Sequence, residues 1–187
     1  MSLQPACRAA SGLRLLASVA LVLALGPARV MAQAPNVEPS VKATYLYKFA
    51  PFVEWPANAF GVPADPLVIC VVGTDAVANL VDEAVKGQTV RGRAVTVLHV
   101  PVPARDSRCQ ILYVASRGES ALATLDSVRG RPVLTVTDSM REARAQGIIN
   151  FVVQDSRVRF EIDLNAASEN HLVISSKLLS LAAGVRQ

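Results

Sequence analysis

The chain has 187 residues, only nine of them aromatic, and a formal net charge of +4. Three arginines lie in the first 34 residues, which carry no acidic side chain, so subtracting them from +4 leaves the remaining chain near +1. A charge this small, without basic runs interleaved with aromatic residues, argues against nucleic acid as a partner.

Residues 1–34 have the pattern of an export signal that is cleaved. Two arginines precede or begin an apolar run of about fourteen residues, Leu13 to Gly26, and small residues that suit signal peptidase end at Ala32 or Ala34. A membrane span needs roughly twenty apolar residues, so the pattern favours a cleaved signal over an uncleaved anchor. The mature protein is then a single exported domain, residues 35–187.

From residue 66 onward, strand-like and helix-like segments alternate, which predicts an α/β fold. Apolar, β-branched runs typical of buried parallel strands lie at 67–72, 94–100, 109–115 and 132–136. Helices are predicted at 75–86, with Asp75 as the cap and Leu80 on its inward apolar face, and at 119–128, 138–146 and 175–183. Leu122 and Leu125 are expected to face the core. The segments 148–153 and 157–164 flank a turn and predict an antiparallel hairpin. We expect a three-layer-like sandwich with a mostly parallel sheet and this hairpin at its edge.

Two cysteines, Cys70 and Cys109, remain after the signal is removed. In an oxidising compartment, an even pair flanked by apolar runs favours a structural disulfide. The alternative is a redox-active pair, which usually has C-x-x-C spacing or a neighbouring histidine; neither is present here.

The segment Tyr45 to Pro56 contains five of the nine aromatic residues. Helical spacing predicts that one face of this segment belongs to the core, and that face consists of Val41, Tyr45, Phe49 and Phe52. Pro51 stops or kinks the helix. Tyr47 and Trp55 lie off this face, and such rings on a surface are enriched in protein contacts.

No sequence pattern points to catalysis. The two histidines, His99 and His171, have no spacing typical of a metal site or of an activated nucleophile, and the glycine-rich phosphate-binding motifs are absent. We therefore predict that the protein is not an enzyme and has no cofactor and no metal. The carboxyl ends of the strands near Gly73, Ala115 and Thr137 offer an alternative function, a small-ligand sensor or carrier with a crevice there.

Several stretches, in the right order along nearly the whole mature chain, resemble the YfiR-like family of periplasmic proteins. They are residues 41–49, 52–56, 67–73, 109–114, 132–136, 147–151, 157–162 and 174–179. The resemblance implies a periplasmic repressor that binds the periplasmic sensor domain of an inner-membrane diguanylate cyclase and so lowers cyclic di-GMP and biofilm formation. It also implies release by an outer-membrane lipoprotein, a homodimer, and a Cys70–Cys109 disulfide.

A protein that acts by binding obtains its affinity from a few buried anchors within a charged rim. We expect four residues to serve as partner-binding residues: Tyr47, Trp55, Phe151 and Glu161.

Overall fold

A computed structural model describes residues 37–102, 108–138 and 145–187. The predicted signal peptide lies outside the described residues, and so does most of the helix predicted at 138–146.

The described residues form five α-helices and ten strands. The helices are α1 (Glu38–Phe49), α2 (Val81–Val85), α3 (Gly118–Ser127), α4 (Leu164–Glu169) and α5 (Ser176–Leu179). The strands are β1 (Val53–Glu54), β2 (Leu67–Val72), β3 (Thr89–Val90), β4 (Arg93–His99), β5 (Ile111–Val114), β6 (Leu134–Asp138), β7 (Ile149–Gln154), β8 (Arg157–Asp163), β9 (Val173–Ile174) and β10 (Gly184–Arg186).

Eight of these strands form one sheet in the order β10-β8-β7-β6-β5-β2-β4-β3. The run from β4 to β7 is parallel, and β8 pairs antiparallel with β7. At one edge β10 pairs parallel with β8, and at the other β3 pairs antiparallel with β4. Strands β1 and β9 pair with each other apart from this sheet. The predicted α/β class, mostly parallel sheet and hairpin near its edge are confirmed.

The core is divided by the sheet because adjacent strand residues point to opposite faces. In β2, Ile69 and Val71 belong to the apolar cluster that includes α1 and α2, whereas Cys70 and Val72 belong to a second cluster that includes α3. All four side chains are at most 2% exposed. A strand buried on both faces needs apolar residues throughout, which explains its uninterrupted apolar sequence.

The predicted hairpin is formed by β7 and β8, with Val153 opposite Val158. Its turn residues, Asp155 and Ser156, have positive φ angles of 50° and 58°, as the tight turns that match strand twist require. Phe160 and Ile162 face the core. The hairpin therefore has one buried face that α1 can cover.

The helix predicted at 75–86 is only partly regular. The Asp75 carboxylate accepts a hydrogen bond from the Ala78 amide at 2.6 Å, which confirms its role as a cap. A 3₁₀ turn over Ala78–Leu80 then precedes α2, and it leaves the Leu80 side chain 39% exposed. The inward placement predicted for Leu80 is therefore wrong.

Two other helical expectations need correction. In α3 the buried residues are Ala121 and Thr124, and Leu125 packs against the same core cluster as predicted, but Leu122 is 42% exposed, so its predicted inward placement is wrong. The buried side of α3 is therefore marked mainly by the small side chains at 121 and 124, and Leu122 lies outside it. The helix predicted at 175–183 ends at Leu179, because the Ala183 amide donates to the Phe160 carbonyl as the chain enters β10.

Candidate partner-binding site

The cysteines Cys70 and Cys109 form a disulfide, as predicted. Cys70 lies in β2, and Cys109 precedes β5, the strand paired with β2, so their Cα atoms lie 5.6 Å apart. Both residues are buried, at 0% and 4% exposure. A pair enclosed in this way fits the structural role better than the redox-active alternative, since reactive cysteines are partly exposed.

Four aromatic rings fix α1 to the hairpin. Tyr45 stacks on Phe49 at 5.6 Å between ring centroids, and Phe49 meets Phe160 edge to face at 5.1 Å. Phe151 lies 5.9 Å from Phe49 and 6.2 Å from Tyr45. Such pairs each contribute about 0.5–1.5 kcal/mol beyond the burial of their area. This cluster gives the early aromatic segment its structural role.

Two of the four predicted partner-binding residues are buried. Phe151 is 0% exposed because it belongs to the ring cluster, and Tyr47 is 9% exposed because its side chain packs on the core. The expected place of Tyr47 on the surface is therefore wrong, and partner binding by Tyr47 and Phe151 stays a prediction. A partner reaches Phe151 only if the domain opens, whereas Tyr47 borders the cavity described below.

The other two predicted residues are half-buried and lie apart from each other. The Trp55 ring packs edge to face on Phe60 at 6.2 Å, and its indole N–H has no acceptor among the described residues. Trp55 lines a cavity of about 260 Å³ together with Arg91 and Arg93. Glu161 lies in β8, beside Gly184 of β10. The structure does not bring the four residues together, and binding by Trp55 and Glu161 stays a prediction.

A larger cavity lies beside the carboxyl end of α1. Its volume is about 530 Å³, within the range of about 300–1,000 Å³ typical of ligand sites. Three chain segments that are distant in sequence, 45–52, 88–90 and 158–181, enclose it. Its lining residues are Tyr45, Tyr47, Lys48, Phe49, Pro51, Phe52, Gln88, Thr89, Val90, Val158, Arg159, Phe160, Leu178 and Leu181. We call this feature the α1 cavity.

The α1 cavity combines an apolar interior with a basic border. Lys48 and Arg159 are exposed at its border, and its lining among the described residues includes no aspartate or glutamate. The Lys177 ammonium lies 5.8 Å from the centroid of the Phe52 ring and adds a third positive charge nearby. Leu181, which lines the cavity, is 54% exposed. The arrangement suits an apolar group that carries, or stands next to, negative charge.

A buried ion pair holds α1 to the sheet. The Lys42 ammonium lies 2.7 Å from the Asp138 carboxylate at the end of β6 and 2.6 Å from Glu38 in α1. The Lys42 side chain is 1% exposed and that of Asp138 is 3% exposed. Sequence analysis missed this pair because its members are 96 residues apart. The only local signal was a lysine four residues after a glutamate.

At the carboxyl ends of the strands, where a crevice is predicted, the described residues make close contacts and hydrogen bonds with one another. A Cβ atom on Gly73, which has a φ of +83°, would lie 2.6 Å from the backbone nitrogen of Ser116. The Tyr113 hydroxyl donates to Asp75 at 2.8 Å beside it. The Thr137 hydroxyl is bonded to Asn150. A ligand site at this place stays a prediction, and the α1 cavity described above includes none of Gly73, Ala115 and Thr137 in its lining.

The histidines have ordinary surroundings in the structure. The His99 ring lies 2.7 Å from the Asp82 carboxylate, and both side chains are well exposed, at 49% and 62%. His171 is exposed and has a φ of +58°, in a turn. Within the described ranges, no group of three or more His, Cys, Asp or Glu side chains is placed to hold a metal ion.

No helix in the described part of the chain has both the length and the apolar character needed to cross a membrane. A family model described as DUF4154, YfiR/HmsC-like, matches residues 39–183, which include the helices given above except for Glu38 of α1, and every strand given above except β10. A search of curated proteins found no match. Members of the matched family are periplasmic and regulatory rather than catalytic, and they act in cyclic di-GMP signalling. The chain belongs to the YfiR/HmsC-like family.

Proposed function

We propose that this protein is a periplasmic repressor of a membrane diguanylate cyclase. After cleavage of residues 1–34, it binds the periplasmic sensor domain of the inner-membrane enzyme and holds it inactive, which lowers cyclic di-GMP and biofilm formation. An outer-membrane lipoprotein releases it, and the repressor is a homodimer. Membership of a family of regulators in cyclic di-GMP signalling supports this role.

The observation that carries the proposal beyond the family is the α1 cavity. Interfaces derive most of their affinity from a few apolar or aromatic anchors that fill pockets on the partner. The α1 cavity is large enough for such an anchor, and its interior is formed by rings and aliphatic side chains. We infer that an apolar side chain of the cyclase enters it.

The basic border determines which partner surface fits. Lys48 and Arg159 favour an anchor flanked by aspartate or glutamate, because opposite charges at an interface rim speed association and reject like-charged surfaces. Tyr47 then acts as a wall of the pocket. Trp55 and Glu161 are secondary contacts in this proposal. Phe151 does not contact the partner but supports α1 by packing on Phe49 in the ring cluster.

Binding of the mature protein to the purified periplasmic domain of the cyclase, measured by biolayer interferometry, tests this proposal. Leu181→Glu places an acid at the mouth of the α1 cavity, and we expect it to weaken binding by at least about tenfold, or 1.4 kcal/mol. Leu122→Glu makes the same change at a similarly exposed leucine of α3 and should bind like the unchanged protein. Circular dichroism confirms that both variants are folded.

Two results would contradict the proposal. One is equal binding by Leu181→Glu and the unchanged protein. The other is the failure of a membrane pull-down to recover any integral-membrane partner under both oxidising and reducing conditions.

The α1 cavity also favours a second candidate function, that of a small-ligand sensor or carrier without catalytic activity. Its volume and basic border fit an anion with an apolar body. Thermal-shift measurements with decanoate, and with decanol as the uncharged control, test this function. A ligand at a hundredfold its Kd stabilises the folded state by about 2.7 kcal/mol. A shift with decanoate alone that is lost in Arg159→Ala supports a ligand site, and equal responses to both compounds argue against it.

A further inference from the structure

A smaller cavity, about 260 Å³ in volume, borders the only tryptophan of the chain. Trp55 follows β1, and Phe60 lies in the loop that leads to β2. Leu67 and Val90 belong to the apolar part of its lining and are 2% and 7% exposed. The volume is just below the range of about 300–1,000 Å³ typical of sites for drug-sized ligands, so the cavity suits a body of about one ring. We call it the Trp55 cavity.

The turn between β3 and β4 places two arginines at the Trp55 cavity. Arg91 and Gly92 have positive φ angles of 50° and 79°, as the two-residue turns of hairpins require. Arg93 then begins β4, and both arginines line the cavity. The Arg91 guanidinium donates to the Pro51 carbonyl at 2.7 Å through one terminal nitrogen. Since a guanidinium has five N–H donors, this contact holds the side chain in place with only one of them.

Arg93 is held beside the cavity by a ring and two carbonyls. Its guanidinium carbon lies 4.0 Å from the centroid of the Phe60 ring, and its Nη1 atom donates to the carbonyls of Val62 and Asp65 at 3.2 and 2.5 Å. The Asp65 carboxylate accepts from two backbone amides and lies 3.2 Å from Arg108. That one carboxylate offsets only part of the charge of the three arginines, and the described lining of the cavity includes no aspartate or glutamate. The surroundings of the cavity therefore favour an anion.

The Trp55 indole supplies a further donor. Its Nε1 atom is buried and has no acceptor among the described residues. A buried donor without a partner costs about 1–3 kcal/mol, which is why such groups in folded proteins are nearly always met by another protein atom, water or a bound group. Because the Trp55 side chain lines the cavity, an acceptor that enters the cavity can satisfy this N–H. The cavity thus combines apolar walls with three donor groups, two guanidiniums and one indole N–H.

We propose that the Trp55 cavity binds a small carboxylate with a single apolar ring. The carboxylate accepts charge-assisted hydrogen bonds from Arg91 and from the indole N–H of Trp55, while Arg93 adds a second positive charge. The ring packs on Leu67 and Val90. An alcohol of the same shape lacks the charge, and a small anion such as acetate lacks the ring. Val90 lines both cavities but their other lining residues differ, so the site is distinct from the α1 cavity and does not depend on the proposed repressor function.

The indole N–H signal of the mature protein, followed by NMR, tests the site. Trp55 is the only tryptophan, so its signal reports on the cavity without the need for a variant. We expect benzoate to shift this signal in a saturable manner, whereas benzyl alcohol and acetate at the same concentrations should shift it little. The absence of a saturable shift with benzoate overturns the proposal, and so does an equal shift with benzyl alcohol or with acetate.

Matched variants locate the bound carboxylate. In calorimetry with benzoate, Arg91→Gln should bind at least about tenfold more weakly, which corresponds to about 1.4 kcal/mol. Trp55→Phe keeps an aromatic ring and removes the N–H donor, so it should also weaken binding. Arg159→Gln makes the same change as Arg91→Gln at the border of the α1 cavity and should bind benzoate like the unchanged protein. Unchanged binding in Arg91→Gln or Trp55→Phe overturns the assignment, as does loss of binding in Arg159→Gln.

Discussion

Reduction of the disulfide should destabilise the mature domain substantially. Cys70 and Cys109 are 39 residues apart, and closing a loop of that length removes chain entropy from the unfolded state worth about 4 kcal/mol at 25 °C. For a domain of about 150 residues, each kcal/mol corresponds to about 2–4 °C in Tm, so we expect a decrease of about 8–16 °C.

Urea unfolding of the oxidised protein and of the protein in a phosphine reductant measures this free-energy difference. The slope of the free energy against urea should be smaller for the oxidised protein, because the cross-linked unfolded state exposes less surface. The double variant Cys70→Ala/Cys109→Ala is the control, since the reductant should leave its unfolding unchanged. The variant should resemble the reduced protein.

The reasoning would be refuted if oxidised and reduced proteins unfolded within about 1 kcal/mol of each other. Detection of two free thiols in the native protein would refute the disulfide itself. Since both residues are almost fully buried, we also expect the native protein to react with the reductant more slowly than the urea-unfolded protein.

Three further perturbations test other features of the fold. Lys42→Ala removes the cation beside the buried Asp138 carboxylate and should lower the free energy of unfolding, measured with urea, by about 3–5 kcal/mol. Lys48→Ala, at an exposed lysine of the same helix, is the control and should change it by less than about 0.5 kcal/mol. Gly73→Ala should be more destabilising than Gly87→Ala by about 1–3 kcal/mol. Both glycines have a positive φ, but only a Cβ at 73 would press against the backbone nitrogen of Ser116. Equal losses of stability in the two variants would contradict the close approach. Hydrogen bonds from backbone amides, assisted by nearby arginines and opposed in part by desolvation, hold the pKa of Asp65 below its usual value. The contribution of Asp65 to stability is therefore present above the unfolded-state pKa of about 3.9 and is lost as pH falls through the lower folded-state pKa. Asp65→Asn should make the free energy of unfolding less dependent on pH in that acid range, and an unchanged dependence would contradict this.

The six longer strands were predicted well because their signal is local, whereas the short strands β1, β3, β9 and β10 were not predicted. The run Leu67–Val72 is apolar throughout, since β2 is buried on both faces, and its observed bounds are those predicted. The hairpin was equally clear, because the residues after Gln154 interrupt two strongly alternating or apolar runs. In both cases the burial of one or both strand faces determines which residue types stand at neighbouring positions, so the sequence pattern shows it directly.

Helix faces were predicted less well because large apolar residues do not always mark the buried side. In α3 the leucine at 122 is exposed while Ala121 and Thr124 pack on the sheet. In α1 the buried positions include Lys42 and Leu46, and Val41 is 37% exposed. Contacts between helix and sheet decide these faces, and such contacts join residues far apart in sequence.

The candidate site illustrates the same limit. The sequence indicated that the segment around Tyr47 mattered for binding, but the α1 cavity also needs the segments around Val90 and Leu181. Nothing local to Leu181 indicates that it lies beside Phe52, because the fold of the last forty residues brings them together. The rings of Tyr45, Tyr47, Phe49 and Phe52 both pack in or against the core and line this cavity, whereas Trp55 lines the smaller one.

Cellular cyclic di-GMP provides the most direct test of the central claim that the α1 cavity represses a diguanylate cyclase. In a strain that lacks this protein, the level should rise, and expression of the unchanged protein or of Leu122→Glu should lower it again. Leu181→Glu, present in the periplasm in equal amount, should leave the level high. Full repression by Leu181→Glu, or a level that does not respond to loss of the protein, would contradict the account.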